Sequence, residues 1–175
     1  MPLDIKSFVA CEYSDTVTSV AAGVGLCSLY PLQVSPNIYN PRVGLVSLSV
    51  QLLTAVESSF GLVKPITPGT PFSFINGNRV SEQQGDPLTF GYFGNHWGEG
   101  DEPTYANPLD FIRQALLPGV VGNGFTWEWP EDNPMTSGLY VSGTLSGPGI
   151  ILVNTGLASC ADILVTMRWL EFIAS

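Results

Sequence analysis

The chain has 175 residues and few charges: charged side chains make up 12% of it, and 6 basic against 15 acidic residues give a formal charge of −9. A chain of this length normally forms one domain with a buried core. The acidic excess argues against nucleic acid as the main ligand, and 19 glycines with 14 prolines argue against a helical bundle. The shortage of charge indicates that part of the surface meets another protein.

The cysteines and the chain start bear on cofactors and location. Cys11, Cys27 and Cys160 lie in apolar surroundings without CxxC spacing, and His96 is the only histidine. Zinc needs about four close ligands, so we expect buried free thiols and no metal or other cofactor. The first residues lack a signal-peptide pattern, and no apolar run reaches the roughly 18 residues that cross a bilayer. We therefore expect a soluble protein made in the cytoplasm, with no membrane partner.

The first part of the chain predicts strands and a proline-rich connection. Residues 6–13 predict a strand, and residues 15–29, which are small and apolar, predict either a strand or a flexible arm. Prolines recur through residues 30–41, which predicts an extended arm or loop because proline cannot pair inside a sheet. Residues 43–55 alternate clearly. Val46, Leu48, Val50 and Leu52 share one face, and Ser47, Ser49, Gln51 and Leu53 share the other.

The middle of the chain is rich in turn residues. Residues 61–65 and 70–75 predict short strands, and Asn76-Gly77-Asn78 predicts a turn. Residues 82–107 predict a long loop, and long loops in compact domains are often functional or mobile.

One helix is predicted, over residues 108–117. Asn107 is a favourable N-cap, Pro108 suits the first helical position, and Asp110 complements the positive helix end. Pro118 and Gly119 would end the helix, which we expect to close one end of the sheets.

The last third predicts further strands. Residues 124–129 place Phe125, Trp127 and Trp129 on one face, and residues 139–145 alternate again. Residues 149–172 predict strand, loop and strand, with a first run that is apolar on both faces and a second run with Ile163, Val165, Met167 and Trp169 on one face. About eight strands and one short helix predict an all-β, single-domain β-sandwich of jelly-roll type.

Catalytic and metal-binding patterns are weak. No serine or cysteine lies in a nucleophile-elbow frame that His96 could serve. Glu99, Asp101 and Glu102 could supply oxygens to calcium, but their spacing matches no EF-hand. We therefore favour a solvated acidic loop and predict that the protein is not an enzyme.

Two other constellations remain open as alternatives. Glu128, Glu131 and Asp132 could provide the paired carboxylates of a glycosidase, although nothing in the sequence places two of them across a cleft. A glycan could stack on a platform of flat rings, for which the candidates are Tyr92, Trp97, Trp127 and Trp129. Core or subunit packing explains the same aromatic residues.

Two segments, residues 43–65 and residues 148–172, resemble small jelly-roll virion proteins of tailed bacteriophages. The first is the alternating stretch with its Gly-Leu-Val-Lys-Pro ending, and the second is similar to their closing strand, Asn-Thr-Gly loop and final strand. Together they cover about a quarter of the chain. The resemblance implies a capsid- or virion-associated structural protein that assembles as a homo-oligomer, often a trimer, and it carries over no catalytic residues.

From the residues and the resemblance we expect a decoration, cement or minor capsid subunit that contacts copies of itself and the major capsid or other virion proteins. A carbohydrate- or receptor-binding module of a tail or fibre is the alternative. The predicted contact residues come from the proline-rich arm, the Ser/Gln face and the aromatic loop: Tyr30, Pro31, Pro36, Ile38, Tyr39, Pro41, Ser47, Ser49, Gln51, His96 and Trp97.

Overall fold

The computed structural model describes residues 5–31, 41–63, 71–76, 78–79, 91–97, 111–136 and 150–174. These ranges contain strands and no helix, so no described helix could span a membrane. The strands are β1 (Ile5–Val17), β2 (Gly25–Pro31), β3 (Pro41–Leu52), β4 (Ser58–Val63), β5 (Pro71–Asn76), β6 (Asn78–Arg79), β7 (Gly91–Trp97), β8 (Arg113–Leu117), β9 (Gly124–Glu128), β10 (Met135–Thr136), β11 (Ile150–Asn154) and β12 (Ile163–Ala174).

The strands form two sheets that pack as a sandwich, which confirms the predicted all-β fold. In sheet A, β3 pairs with β12, β12 with β1, and β1 with β6, while β9 and β10 both pair with the free side of β3. Sheet B has the order β5-β7-β2-β11-β4-β8. Every described pairing is antiparallel.

The first four strands alternate between the two sheets. The chain passes from β1 in sheet A to β2 in sheet B, then to β3 in A and β4 in B. The segment between β4 and β8 adds β5 and β7 beyond β2, and β6 beyond β1. The chain then forms β8 beside β4, crosses to β9 and β10 in sheet A, returns to β11 in B, and ends with β12 in A.

The core lies between the sheets and is built by the alternation that the sequence predicts for the last strands. Ile163, Val165, Met167 and Trp169 of β12 are all fully buried. In β11, Ile150 and Leu152 join the main core, whereas Ile151 and Val153 point to the other side of sheet B. There they pack with Val63 and Phe111, so β11 is covered on both faces as its apolar sequence predicts.

A bulge corrects one detail of the predicted face of β3. Ser47 lies opposite Arg168 and Leu45 opposite Trp169, which leaves Val46 as the extra residue of β3. Leu48, Val50 and Leu52 point into the core as predicted. Beyond the bulge it is Leu45 that points inward, whereas Val46 is only half-buried.

The helix predicted over residues 108–117 is wrong where the structure describes it. Residues 113–117 form β8 and pair with β4, and Ile112 N–H donates to the carbonyl of Leu62 at 2.8 Å. Leu117 is buried whereas Leu116 is 64% exposed, an alternation that suits an edge strand. Pairing with the open edge of β4 outweighs the local capping signals, and Asn107, Pro108 and Asp110 lie outside the described residues.

Two predicted loops also contain strand. The loop predicted over residues 82–107 includes β7, which pairs with β2 and β5. The proline-rich arm predicted over residues 30–41 begins inside β2 and ends at the start of β3, with residues 32–40 outside the described ranges. In both cases the pairing partner is distant in sequence, and local composition does not report it.

The edge of sheet A carries a short interruption. After β9, Trp129 N–H still donates to the carbonyl of Val46 at 2.9 Å. Residues 130–134 then leave the edge in a turn that starts and ends with proline and is closed by a 3.0 Å bond from Asn133 N–H to the carbonyl of Pro130. Pairing with β3 resumes at β10.

Candidate interaction surfaces

The outer face of sheet A, which we name the hydroxyl face, presents short polar side chains across four strands. Ser14, Thr166, Ser49 and Thr126 occupy neighbouring positions on β1, β12, β3 and β9. Ser14 and Thr166 share a hydrogen bond of 2.8 Å between their hydroxyl oxygens, and Ser49 and Thr126 share one of 2.9 Å. The row therefore forms two hydroxyl pairs across the sheet.

The described charged side chains of the hydroxyl face lie in the row beside these hydroxyls. The Arg168 guanidinium lies 3.3 Å from the Glu12 carboxylate, and both side chains are about half exposed. Glu128 of β9 is at the other side of the same row and is exposed. An exposed pair of this kind contributes little stability, so the face is held by sheet pairing and not by charge.

A shallow depression of about 470 Å³ lies on the hydroxyl face. Its lining includes Ser49, Gln51 and Thr126, together with Gly122 and Gly124. Gly122 has φ +92°, a left-handed conformation that favours glycine, whereas a Cβ at Gly124 would overlap the carbonyl oxygen of Val50.

Part of the predicted interface lies on this face. Ser47 and Ser49 are half-buried and Gln51 is exposed, on the side of β3 that the alternation predicts. Their accessibility leaves room for a covering partner.

The remaining predicted contact residues lie elsewhere or outside the description. The backbone of Tyr30 and Pro31 ends β2 opposite Tyr92 and Gly91 of β7, and His96 and Trp97 form the other end of β7 in the same sheet B. Pro41 begins β3 opposite Ile173. Pro36, Ile38 and Tyr39 lie outside the described residues. The predicted contacts are thus divided between strands of both sheets.

The aromatic residues proposed for glycan stacking are also divided. Trp127 and Trp129 lie on the inner side of β9 and pack, partly buried, against the core. The Trp127 ring is 4.4 Å from that of Phe125, and the Arg113 guanidinium lies 5.4 Å from the centre of the Trp129 ring. This last contact joins β8 of sheet B to the β9 edge of sheet A. Tyr92 and Trp97 belong to β7, on the other sheet.

The acidic candidates form no described metal site. Glu128, Glu131 and Asp132 are exposed at the sheet A edge. Within the described part of the chain, no group of three or more His, Cys, Asp or Glu side chains could hold a metal ion. Glu99, Asp101 and Glu102 lie outside that part.

The three thiols are free and buried, as predicted. Burial raises the pKa of the Cys27 thiol above its ordinary value, and the charge of Asp15 adds to the effect. Burial also raises the pKa of Cys160, whose sulfur accepts a hydrogen bond of 3.5 Å from Val20 N–H. Raised thiol pKa values favour the unreactive protonated form.

One end of the sandwich is formed by the connections β1–β2, β3–β4, β8–β9 and β11–β12, each of which crosses between the sheets. We name this surface, comprising residues 18–24, 53–57, 118–123 and 155–162, the loop end. Backbone hydrogen bonds link the connections to one another and to the strand ends. Cys160 N–H donates to the carbonyl of Val20, Leu53 N–H to that of Asp162, and Gly122 N–H to that of Leu52. The loop end is therefore a fixed surface.

Asn154, at the end of β11, fastens two of these connections. Its side chain is 1% exposed, and its amide nitrogen lies 3.0, 3.1 and 2.9 Å from the carbonyl oxygens of Val20, Ala21 and Ala158. Its side-chain oxygen accepts a 2.9 Å bond from Gly156 N–H. A single buried amide thus satisfies backbone groups of both the β1–β2 and the β11–β12 connections.

The loop end exposes large apolar side chains that the sequence analysis did not single out. Among the described residues, the large hydrophobic side chains that stay exposed all belong to this end or to the adjacent end of β8: Leu53, Val56, Leu116, Val120, Val121 and Leu157. Leu157 is fully exposed, at 103%. The sequence signal that could have revealed this apolar surface is the presence of apolar residues in segments otherwise typical of turns.

A pocket of about 310 Å³ opens at the corner between the loop end and the outer side of sheet B. Leu116 and Leu157 both line it, together with Ser59 and the Gly156–Ala158 backbone region. The Ser59 hydroxyl bonds to that of Thr155 at 2.7 Å, which fixes the wall of the pocket.

Comparisons with models of protein families and with curated proteins find no match to the chain.

Proposed function

We propose that this protein is a structural subunit of a bacteriophage particle, namely a capsid-associated decoration, cement or minor capsid protein that works as a homo-oligomer. The observation that carries the proposal is the strand order. In sheet A, β1, β12, β3 and β9 are neighbours, and in sheet B, β2, β11, β4 and β8 are neighbours. We interpret these eight strands as a jelly roll, with β5, β6 and β7 as an insertion between β4 and β8.

A jelly-roll arrangement of strands is typical of a few functional classes of protein. Capsid proteins, lectin domains and cupins are typical users of this double-sheet arrangement. The resemblance of residues 43–65 and 148–172 to virion proteins favours the first of these classes. The two segments contain most of β3 and β12, which are neighbours in sheet A. They also contain β4 and β11, which are neighbours in sheet B.

The surface supports the same choice. The hydroxyl face offers short side chains with few charges, and the loop end offers exposed apolar groups. Surfaces of this kind suit burial against another protein, because little charge must be desolvated. The carbohydrate-binding alternative has less support, since Trp127 and Trp129 pack against the core and are partly buried.

The proposal is tested on particles of the phage that encodes the chain. Purified particles should contain the protein at a fixed copy number by quantitative mass spectrometry, and a cryo-electron microscopy map should show the two-sheet sandwich repeated on the particle. Absence of the chain from purified particles would refute the proposal. A glycan array showing selective binding that Trp97→Ala abolishes would favour the carbohydrate-binding alternative.

A further inference from the structure

On the basis of the proposed function, we infer that two copies of this chain pair through the loop end, with Leu157 of each copy entering the pocket beside Leu116 of the other. The first step is the shape of the surface. A fully exposed leucine stands next to a pocket that it helps to line, so a projection and a recess lie side by side. A contact about a twofold axis requires such a self-complementary patch. If one residue of the first copy contacts a second residue of the other copy, the same two positions also meet with the copies exchanged.

The pocket fits an apolar side chain better than a separate ligand. Its volume of about 310 Å³ is at the lower limit of small-molecule sites, and it opens on a corner of the protein. Three of its polar side chains are already engaged: the Asn154 amide bonds backbone groups, and the Ser58 and Ser59 hydroxyls bond Val56 and Thr155 respectively. An entering leucine would leave these three groups satisfied, and the exposed Glu57, which also lines the pocket, can keep its carboxylate in water.

The charge of the loop end is compatible with a second copy as the occupant. The chain has a formal charge of −9, so most orientations of two copies bring like charges together. The loop end carries only two charged residues, Glu57 and Asp162, and the Asp162 carboxylate already accepts a 2.7 Å bond from Ser19 N–H. The loop end is thus a surface through which copies can meet with little repulsion, and it lacks the basic groups that would attract an acidic partner.

The exposed apolar area is of the size that pairing needs. The six large side chains together expose the equivalent of three to four whole side chains, or roughly 200–450 Å². A stable interface buries about 800 Å² on each partner, a little more than half of it apolar. The loop end supplies about half to nearly all of that apolar share, and the polar parts of its four connections supply the rim.

The test is the mass of the protein in solution. Wild type at tens of micromolar should have twice the mass of its 18.7 kDa chain by size-exclusion chromatography with light scattering, or an even multiple where other contacts add copies. Leu157→Asp should raise the dissociation constant of this contact by about tenfold or more and halve the mass. Asn133→Asp adds the same charge at an exposed position outside both the loop end and the hydroxyl face, and it should leave the mass unchanged. Because both substituted positions are exposed, both variants should keep the wild-type circular dichroism spectrum, which shows that each of them folds.

A second measurement locates the contact. An equimolar mixture of Ser59→Cys and Leu157→Cys chains should form a disulfide-linked dimer on mild oxidation, because the two positions meet across the interface. A mixture of Thr126→Cys and Leu157→Cys chains should not. A monomeric wild type, a Leu157→Asp variant of unchanged mass, or equal cross-linking of both mixtures would each refute the inference. Detection of the chain in phage particles would still support the proposed function in that case.

Discussion

Replacing Asn154 with alanine should be among the most damaging single changes at the loop end. The variant removes a buried amide that bonds the carbonyls of Val20, Ala21 and Ala158 and accepts from Gly156 N–H. Alanine has no hydrogen-bonding side chain to replace the amide, so these backbone groups lose their side-chain partner within the loop end.

The expected loss follows from the number of bonds. Two amide hydrogens and one oxygen make about three bonds' worth of interaction, and each is worth about 1 kcal/mol net. We therefore expect Asn154→Ala to lower the free energy of unfolding by about 3 kcal/mol. For a chain of this size that corresponds to a fall in Tm of roughly 6–12 °C.

Urea denaturation followed by tryptophan fluorescence, together with a thermal scan, measures both quantities. Asn123→Ala is the matched control, because it removes an amide with one 3.2 Å bond to the carbonyl of Pro118 at an exposed site. The control should lose no more than about 1 kcal/mol. If the two variants were destabilised equally, the view that Asn154 holds the loop end together would be wrong.

Three further predictions concern stability. Gly124→Ala should destabilise by about 2 kcal/mol or more in urea, because the new methyl group overlaps the carbonyl oxygen of Val50, and a loss below 0.5 kcal/mol would contradict the β9 geometry. Burial raises the pKa of the Cys27 thiol above its ordinary value of 9.0, so the unfolded chain releases this proton first as the pH rises. The stabilisation is complete below pH 9 and falls by up to about 1.4 kcal/mol per pH unit above it, a slope that Cys27→Ala should reduce in urea titrations from pH 8 to 10.5. Glu12→Gln should change the free energy of unfolding by no more than about 1 kcal/mol, with any loss disappearing in 1 M salt, because the pair with Arg168 is half exposed.

The parts of the fold that the sequence predicted well are those in which burial follows a simple period. β12 alternates strictly from Ile163 to Trp169, and β11 is apolar on both faces because Val63 and Phe111 cover its outer side. Side-chain periodicity is a local property and reports burial directly.

The missed elements depend on partners that are remote in the chain. β8 carries a helix-like cap signal before it, yet the open edge of β4 recruits it as a strand. β7 lies among glycines that are typical of a loop, and its pairing with β2 joins segments more than 60 residues apart. Such pairing energy is not encoded in the residues of the strand alone.

The candidate surfaces were likewise predicted only where they follow from a local pattern in the sequence. The polar side of β3 was predicted from its alternation and lies on the hydroxyl face. The loop end was not predicted, because it arises only when four connections from distant parts of the chain meet at one end of the sandwich. Leu157 and Leu116 are 41 positions apart, and their shared pocket exists only in the folded protein.

The interrupted edge of sheet A limits its pairing with strands of other chains, which is the first step towards fibres in a β protein with few charges. An uninterrupted strand beside β3 would offer a long row of free N–H and C=O groups to any passing strand. The detour of residues 130–134 divides that row in two and places Pro130 and Pro134 at its break, where neither can donate a backbone hydrogen bond. Deleting the detour would straighten this edge and should therefore make the protein more prone to cross-β aggregation.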